Sequence, residues 1–363
     1  MNDTAYWITL AHIPGWGYVK TNKLVNRFFR EQNTSIRAFF NLPEKEWENV
    51  YGLEHTDREA LKEALRNFSA NEVLAEQLEN EGIELIPLTS PDYPVALKKN
   101  FRETHAPTLL YVKGNKQILQ EKAVGIVGTR EASELSLRFT DNMARKATKE
   151  FKVVVSGFAK GVDKQALDSA LKYIGQSIIV LPQGIMTFDT GFKTYARNIE
   201  EGDLLVLSTF HPRSPWKSEQ ALARNSVIYG LANEIYVAES AETGGTWSGA
   251  IDGLKKKRTV YIRKPEDAEE NANALLIEKG AIAVDFNGNI IPDESKEAQR
   301  ADYEKRILEL LKTGDFTVAE ITGKLELHWS ESELKAFMKT LPEVELAGKK
   351  VKRYTIFRQQ KLF

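Results

Sequence analysis

Apolar side chains recur at helical spacing along residues 1–75, with polar residues between them. The pattern predicts four short helices, at residues 7–13, 20–29, 36–40 and 57–67. A tight turn, Pro14-Gly15-Trp16-Gly17, separates the first two. Such a turn has two interpretations: a helix-hairpin-helix, whose helix-start N–H groups meet a phosphate, or a plain structural turn. We therefore predict a small helical domain, of helix-hairpin-helix or SAM-like type, over residues 1–75.

From residue 83 onward, short β-branched runs alternate with helical stretches. The runs predict strands at residues 123–127, 153–155, 177–181, 204–207, 235–238, 259–262 and 282–284. Helices are predicted between them, at residues 135–149, 160–173, 195–200, 219–229 and 247–256. This alternation indicates βαβ units. We therefore expect an α/β fold over residues 83–291, an extended Rossmann-like, mainly parallel sheet with helices on both faces.

The pattern changes again after residue 291. Residues 292–301 are polar, lack apolar periodicity and are predicted to form a linker. Beyond them come three helical patterns and two short apolar runs, at residues 303–311, 318–324, 331–341, 344–346 and 351–357. Three helices closed by a hairpin outline a winged helix, which we predict over residues 302–363.

Basic residues without any acid occupy the C-terminal stretch from Gly348 onward. They are Lys349, Lys350, Lys352, Arg353, Arg358 and Lys361. Two interpretations are open: a solvated tail, or a wing that lies along a phosphate backbone.

The composition excludes several classes of protein. The 363-residue chain is 42% apolar and 28% charged, as in an ordinary soluble globular protein. Its formal net charge of -1 means that nucleic-acid binding must depend on local basic patches. Without cysteine, disulfides, thiolate catalysis and cysteine-ligated zinc are excluded. Because neither a signal-peptide pattern nor a membrane-spanning apolar run is present, we expect a cytoplasmic protein without membrane contact.

The candidate chemistry follows the predicted strands, because ligands of open α/β sheets bind beyond the carboxyl ends of the strands. Gly128-Thr129-Arg130 follows one strand, and a glycine-rich loop, residues 156–163, follows the next. Glycines let the backbone approach an anion, and the following helix start offers unpaired N–H groups. Ser156 can donate a hydroxyl hydrogen, and Arg130 can bind phosphate bidentately. These features predict a phosphate-binding loop.

The glycine-rich loop matches neither G-x-G-x-x-G nor G-x-x-x-x-G-K-[ST], which removes the main support for redox chemistry or NTP hydrolysis. Asp163, at its end, has two interpretations. It either caps the helix or orders the loop as a polar tie, or it accepts a hydrogen bond from a sugar or base.

Two later segments extend the candidate surface. Arg224 and Asn225 offer a planar guanidinium and an amide, and Gly244, Gly245 and Thr246 form a second glycine turn before a helix. Glycine turns are common, but several at the strand ends of one sheet form a continuous track. The basic run at residues 255–258 either contacts the ligand or complements the helix dipole in solvent.

Residue patterns typical of enzymes are sparse. The histidines are scattered, without H-E-x-x-H, and no G-x-S-x-G nucleophile elbow occurs; they are His12, His55, His105, His211 and His328. No general base stands beside a nucleophile. We therefore expect a non-enzymatic protein without a metal or cofactor.

The order of several motifs resembles the DNA-processing protein A family, DprA, also called Smf. Residues 156–163 fit the family's S-G-x-A-x-G-[IV]-D. Similar segments are Pro14-Gly15-Trp16-Gly17, Asp92-Tyr93-Pro94, Pro107, residues 110–114, residues 127–133, Arg224-Asn225 with Ile228 and Gly230-Leu231, and Gly280-Ala281. The resemblance implies a helical N-terminal domain, an extended Rossmann domain that binds single-stranded DNA, and often a C-terminal winged helix.

The same resemblance implies a biological role. Members protect incoming DNA in natural transformation, load the RecA recombinase onto it and dimerise through the Rossmann domain, with neither cofactor nor catalysis. This chain departs from the pattern at Leu167, where the family has histidine, at Ser226, which replaces the second arginine of R-N-R, and at Leu222, which replaces phenylalanine. The family's Y-P-x-x-N is not recognisable between Gly184 and Glu201, although Lys193 and Arg197 can supply its charge. The departures indicate a divergent member.

We predict a positive groove that follows the phosphates of a single strand. Its predicted residues are Gly128, Arg130, Ser156, Gly157, Lys160, Gly161, Asp163, Lys193, Arg224, Asn225, Gly244, Gly245 and Thr246. Two alternatives stay open: a Rossmann-like sensor or enzyme for a small nucleotide, and a DNA-binding component of a mobile element or defence system.

Overall fold

A computed structural model of the protein describes residues 3–327, 329–347 and 352–356. It divides into two compact units, Met1–Ile291 and Pro292–Phe363. The strands of the first unit are β1 Glu84–Pro87, β2 Leu109–Gly114, β3 Ala123–Val127, β4 Val153–Ser156, β5 Ser177–Val180, β6 Leu204–Ser208, β7 Glu234–Val237, β8 Val260–Arg263 and β9 Ile282–Val284.

Fourteen α-helices are described in the first unit. They are α1 Thr4–Ala11, α2 Tyr18–Asn26, α3 Ile36–Phe40, α4 Glu44–Asn49, α5 His55–Arg66, α6 Phe68–Asn80, α7 Val95–Phe101, α8 Glu134–Lys149, α9 Val162–Lys172, α10 Asp189–Thr194, α11 Ala196–Glu200, α12 Ser218–Leu231, α13 Gly244–Lys255 and α14 Asn273–Glu278. Single 3-10 or π turns lie at Arg27–Glu31, Glu103–His105, Lys116–Gln120 and Ile185–Thr187.

The nine strands form one sheet in the order β1-β2-β6-β5-β4-β3-β7-β8-β9. Strands β3 to β9 pair in parallel, whereas β2 is antiparallel to both β6 and β1. From β3 the chain adds β4, β5 and β6 on one side and then returns to add β7 on the other. The strand order therefore reverses between β3 and β7, the point where open α/β sheets open a crevice.

The central strands are continuous runs of branched apolar residues, because both faces of a parallel sheet are buried. In β3, Ala123 and Val127 enter the core on one face, whereas Val124 and Ile126 enter the core on the other. The α/β fold with its mainly parallel sheet is confirmed, as are all seven predicted strands. The pattern did not predict the antiparallel strands β1 and β2.

The N-terminal helices cover one face of the sheet. Their apolar residues share a core with Tyr111 of β2, Ile179 of β5 and Val206 of β6. The four predicted helices are present, and the pattern missed α4 and α6. Residues 1–75 are therefore helical but do not form a compact unit of their own, because their buried side chains pack against the strands.

The second unit contains α15 Glu294–Thr313, α16 Val318–Leu325, α17 Glu331–Met338, and an antiparallel pair, β10 Val344–Ala347 with β11 Arg353–Ile356. Reciprocal capping boxes, Thr317 with Glu320 and Ser330 with Glu333, begin α16 and α17. Three helices and a hairpin are the predicted elements, and the winged helix itself stays a prediction. Lys349, Lys350, Arg358 and Lys361 lie outside the described residues, as does His328.

The prediction that residues 292–301 form an irregular linker is wrong. Most of it is the first part of the twenty-residue helix α15. Glutamate, lysine, alanine, glutamine and arginine dominate this stretch, and all favour helix even where no apolar stripe marks it. The absence of apolar periodicity therefore reflected solvent exposure of the early turns, with Arg300 exposed, rather than a lack of helix.

Candidate functional site

A cavity of about 460 Å³ opens at the carboxyl ends of β3 and β7, where the strand order reverses. Two further cavities, of about 300 Å³ and 530 Å³, adjoin it, and Arg130 lines all three. We call the first the main cavity, because it lies where the strand order reverses, and we call the combined surface of all three the carboxyl-edge groove. The volume of the first cavity alone falls in the usual range for ligand pockets. The topology thus brings the loops after β3, β4 and β7 to one surface, as the sequence predicted.

The start of α13 is open toward this groove. Gly244 adopts a left-handed backbone at φ 89°, and no side-chain hydrogen bond caps the helix at Thr243. Gly244, Gly245 and Thr246 all line the main cavity, together with Asn225. Unpaired N–H groups and the helix dipole favour an anion there. The predicted second glycine turn is therefore placed to receive a phosphate.

Two exposed cations border the same groove. Arg130 follows β3, and Lys160 lies in the loop after β4, where it lines the two adjoining cavities. Neither cation forms an ion pair with any residue that the structure describes. We call Arg130, Lys160 and the α13 start the rim. The rim therefore presents two cations that no ion pair among the described residues neutralises.

Arg224, by contrast, is buried beneath the groove. Its Nη1 donates to the Val180 carbonyl at 2.8 Å, and its Nη2 lies 3.5 Å from Asp163 Oδ2. Burial lowers the pKa of the guanidinium. The prediction that Arg224 binds phosphate on the surface needs correction, because the side chain is only 4% exposed and holds the end of β5. Its Nε alone has no partner among the described residues.

Asp163 and Ser156 are also internal. Burial raises the pKa of the Asp163 carboxyl, and the charge of Arg224 opposes that rise. Its place beside Arg224 fits the polar tie rather than the sugar acceptor. Ser156 was predicted to donate to a phosphate, but its hydroxyl donates to the Ile126 carbonyl at 2.6 Å and is buried. We call Ser156, Gly157, Asp163 and Arg224 the floor of the groove.

The glycines after β3 and β4 serve packing between loops. A Cβ on Gly157 would overlap the Arg224 guanidinium, and one on Gly161 would lie 2.5 Å from the Thr129 carbonyl oxygen. A Cβ on Gly128 would lie 2.5 Å from a Val162 methyl. These glycines were predicted to bring the backbone close to an anion. The close approach they permit is to the protein itself, which locks the two loops together.

The start of α8, the helix that follows β3, is closed by a carboxylate of the protein. The Ser133 N–H and the Ser136 hydroxyl donate to Glu239 Oε2, at 3.1 and 2.6 Å. The Ser133 hydroxyl also caps the helix by accepting from the Ser136 N–H. In dinucleotide-binding Rossmann folds the pyrophosphate takes this position. Glu239 thus fills the place where a dinucleotide would bind.

Lys193 is not brought to the groove. It is exposed on α10 and lines none of the three cavities. Sequence reasoning missed Trp216, which precedes α12, is 51% exposed and lines two of the cavities. It also missed Tyr229, whose buried hydroxyl has no partner among the described residues. The sequence did offer one signal for Trp216, because a large aromatic residue stands there in a mostly polar loop.

Other kinds of site are not formed by the described part of the chain. No group of three or more histidine or acidic side chains is placed to hold a metal ion within residues 3–327, 329–347 and 352–356. In the same ranges, no helix has the length and apolar character needed to cross a membrane.

A family model described as DNA recombination-mediator protein A matches residues 84–293, more than half of the chain. The chain belongs to this family. The matched residues contain the whole sheet and every described residue of the carboxyl-edge groove.

Relatives within the family agree with this placement. The DNA processing protein DprA of Bacillus subtilis is 28% identical over 236 residues, which are 62% of this chain and 76% of that protein. That of Streptococcus pneumoniae is 31% identical over 190 residues, 52% of this chain and 67% of that protein. The X-ray structure of DNA processing protein A from Streptococcus pneumoniae has a TM-score of 0.63 and 24% identity, covering 78% of this chain and 95% of that chain.

Three residues of this chain depart from the DprA pattern, and they differ in how far they are buried. Leu167 is completely buried in the core shared with the N-terminal helices, so an apolar residue suits its position. Ser226 donates to the Ala223 carbonyl within α12. Leu222 is 55% exposed and lines the main cavity. Of the three departures, Leu222 is the one that changes the surface of the groove.

Proposed function

We propose that the chain binds single-stranded DNA along the carboxyl-edge groove and acts as a DNA-processing protein in natural transformation and recombination. The observation that carries this proposal is the open start of α13 beside the unpaired Arg130, at the crevice where the strand order reverses. Helix-start N–H groups and a free guanidinium both prefer phosphate oxygens. Their position on one continuous groove fits a backbone that passes from one to the other.

The closed start of α8 supports a strand over a dinucleotide. A pyrophosphate at that position would have to displace Glu239 from three hydrogen-bond donors, the Ser133 N–H and the hydroxyls of Ser133 and Ser136. The rim offers separate anion contacts, at Arg130, Lys160 and the α13 start, instead of one enclosed phosphate site. Contacts spread along a groove suit successive phosphates.

The proposal includes the role of a recombination mediator. According to this proposal, the chain protects incoming DNA in the cytoplasm, loads the RecA recombinase onto the strand and forms a homodimer through its Rossmann-like domain. The family description and the names of the relatives from Bacillus subtilis and Streptococcus pneumoniae support the DNA-processing part. We further propose that the chain catalyses no reaction, since the buried carboxylate of Asp163 lies beside Arg224 and the neighbouring Ser156 hydroxyl donates to the Ile126 carbonyl.

Fluorescence anisotropy with a labelled 20-nucleotide strand tests the binding proposal. Unlabelled single strands should compete at equal concentration, whereas duplex of the same sequence and a mononucleotide should compete only at large excess. The affinity should fall as salt is raised, because phosphate contacts release counterions. Displacement by micromolar mononucleotide would contradict strand binding and favour the nucleotide sensor. A RecA filament-formation assay on coated single strands tests the loading role separately.

A further inference from the structure

Two large apolar side chains stand in solvent at the edge of the sheet opposite the groove. Phe151 is 92% exposed and Ile174 is 87% exposed. They follow α8 and α9, which run from the carboxyl edge of the sheet back to its amino edge. Both also have left-handed backbones, at φ 53° and 60°. Exposure and backbone conformation are therefore both unfavourable for these residue types.

The left-handed conformations come from the way the two helices end. The Phe151 N–H donates to the Thr148 carbonyl and the Lys152 N–H to the Ala147 carbonyl, the paired bonds of a Schellman motif. The Ile174 and Gly175 N–H groups repeat this pattern on Leu171 and Ala170. The position occupied by Phe151 and Ile174 is the one where glycine is preferred, because a Cβ is strained there.

Three other helix ends of the first unit have glycine at this position, whereas the end of α13 has Lys257. Gly82 after α6, Gly202 after α11 and Gly280 after α14 occupy the same position, each left-handed, in the same pair of hydrogen bonds. Glycine would thus serve the fold equally well at residues 151 and 174. An observed backbone outlier that the fold does not require is grounds for a functional hypothesis.

The two side chains belong to one surface. Both flank Thr148: the Phe151 N–H bonds its carbonyl at 3.1 Å, and a Cβ on Gly175, next to Ile174, would overlap its side chain. Exposed cations lie on the same two helices, and Glu150, next to Phe151, is paired with Lys152. Lys149 and Arg145 are exposed on α8 without an ion pair among the described residues, and the Lys172 side chain on α9 is 64% exposed, with its Nζ 3.5 Å from Asp141 Oδ1. An apolar pair next to the unpaired charges of Lys149 and Arg145 complements a partner with apolar and acidic side chains.

We infer that Phe151 and Ile174, bordered by Arg145, Lys149 and Lys172, form a docking surface for an acidic segment of another polypeptide that carries apolar side chains. A second copy of this chain fits less well, because a two-fold contact would oppose like-charged lysines. Two side chains also fall short of the area a stable dimer buries. The inference is independent of strand binding, because it concerns the opposite edge of the sheet.

The first experiment tests whether the fold needs these side chains. Phe151→Gly and Ile174→Gly should each raise Tm by about 1 to 4 °C, because glycine removes left-handed strain. Lys257→Gly is the matched control, since Lys257 is also exposed and left-handed after α13 but lies outside the surface. It should raise Tm by a similar amount. A lower Tm for the first two variants would overturn the inference, as the side chains would then stabilise the fold.

The second experiment identifies the occupant. The full chain carries photoreactive benzoylphenylalanine at residue 151 in the cells that encode it, and the crosslinked peptide is sequenced. The inference expects a segment of another polypeptide with net negative charge, crosslinked at least tenfold less in the Ile174→Gly and Lys149→Glu backgrounds. Crosslinking at Val73, an exposed residue on α6, gives the background. A crosslink to the same chain, to lipid or to a non-acidic segment, or none above background, would overturn it.

Discussion

The rim and the floor of the carboxyl-edge groove use the same kind of residue for different purposes. Arg130 and Arg224 both lie close to the carboxyl edge of the sheet and both line the main cavity. Arg130 is exposed and has no ion pair among the described residues, whereas Arg224 is 4% exposed beside Asp163 and bonds the Val180 carbonyl. An arginine in this groove is therefore either a ligand contact or an internal brace, and its depth decides which.

The two regions differ in what a ligand can reach. On the floor, Ser156 and Asp163 direct their polar atoms at the protein, and Gly157 leaves room for the Arg224 guanidinium. On the rim, Arg130 and the α13 start present donors to solvent. We therefore expect the floor residues to control the stability of the fold and the rim residues to control the affinity for single-stranded DNA. Mutations that separate the two quantities test this comparison.

The largest effect is expected from Arg224→Ala. Removing the guanidinium leaves the buried Asp163 without its cationic partner, which should cost about 3–5 kcal/mol in the free energy of unfolding. Urea denaturation of the first unit, followed by tryptophan fluorescence, measures the loss. A variant of normal stability that has lost strand binding would place Arg224 on the rim.

Arg130→Glu should have the next largest effect, on affinity alone. Losing a charge-assisted hydrogen bond to phosphate should weaken single-strand binding by about 1.5–3 kcal/mol. The slope of log affinity against log salt should fall by about 0.7. Stability should change by no more than about 0.5 kcal/mol, because the site is exposed. Arg145→Glu, an exposed arginine on α8 away from the groove, is the control and should bind strands almost normally.

Ser156→Ala distinguishes floor from rim at a residue that the sequence pattern assigned to phosphate. Its hydrogen bond to Ile126 is worth about 1 kcal/mol of stability, which should be lost in thermal or urea unfolding. Strand affinity, measured by anisotropy on the folded variant, should stay within twofold of the parent chain. Weaker binding at unchanged stability would mean that the hydroxyl reaches the ligand.

The smallest effect is expected from Thr243→Asp, which gives α13 the carboxylate closure that Glu239 provides at α8. Aspartate is a favoured N-cap, so stability should rise by about 0.5–1 kcal/mol. Strand binding should weaken by about 0.3–1 kcal/mol, because the carboxylate occupies the helix-start donors. Thr243→Ser is the matched control, with a similar cap and no charge. Equal binding by both variants would remove the α13 start from the ligand path.

The fold was largely predictable because its central strands are short runs of branched residues buried on both faces. Strands β1 and β2 were missed because they pair antiparallel at the margin of the sheet, where alternation is short. Helix α15 was predicted as a linker because its exposed early turns lack the apolar stripe on which the prediction relied. Local helix propensity was the better signal there.

The site was predictable as a place but not as a set of contacts. The sequence placed Arg130, Ser156, Arg224 and Gly245 after strands, and strand ends of a parallel sheet meet at one edge. It could not place Lys193 away from the groove or bring in Trp216, because both depend on how the long loops after β5 and β6 return to the sheet.

By itself, the sequence determined the α/β fold, the edge where ligands are expected and the resemblance to DprA, because periodicity and motif order are local properties of the chain. Only the tertiary structure decided which donors remain free. Glu239 closes α8, Arg224 lies beside Asp163, and α13 stays open. Burial and pairing depend on residues far apart in sequence, so the identical side chains of Arg130 and Arg224 acquire opposite roles at one edge of the sheet.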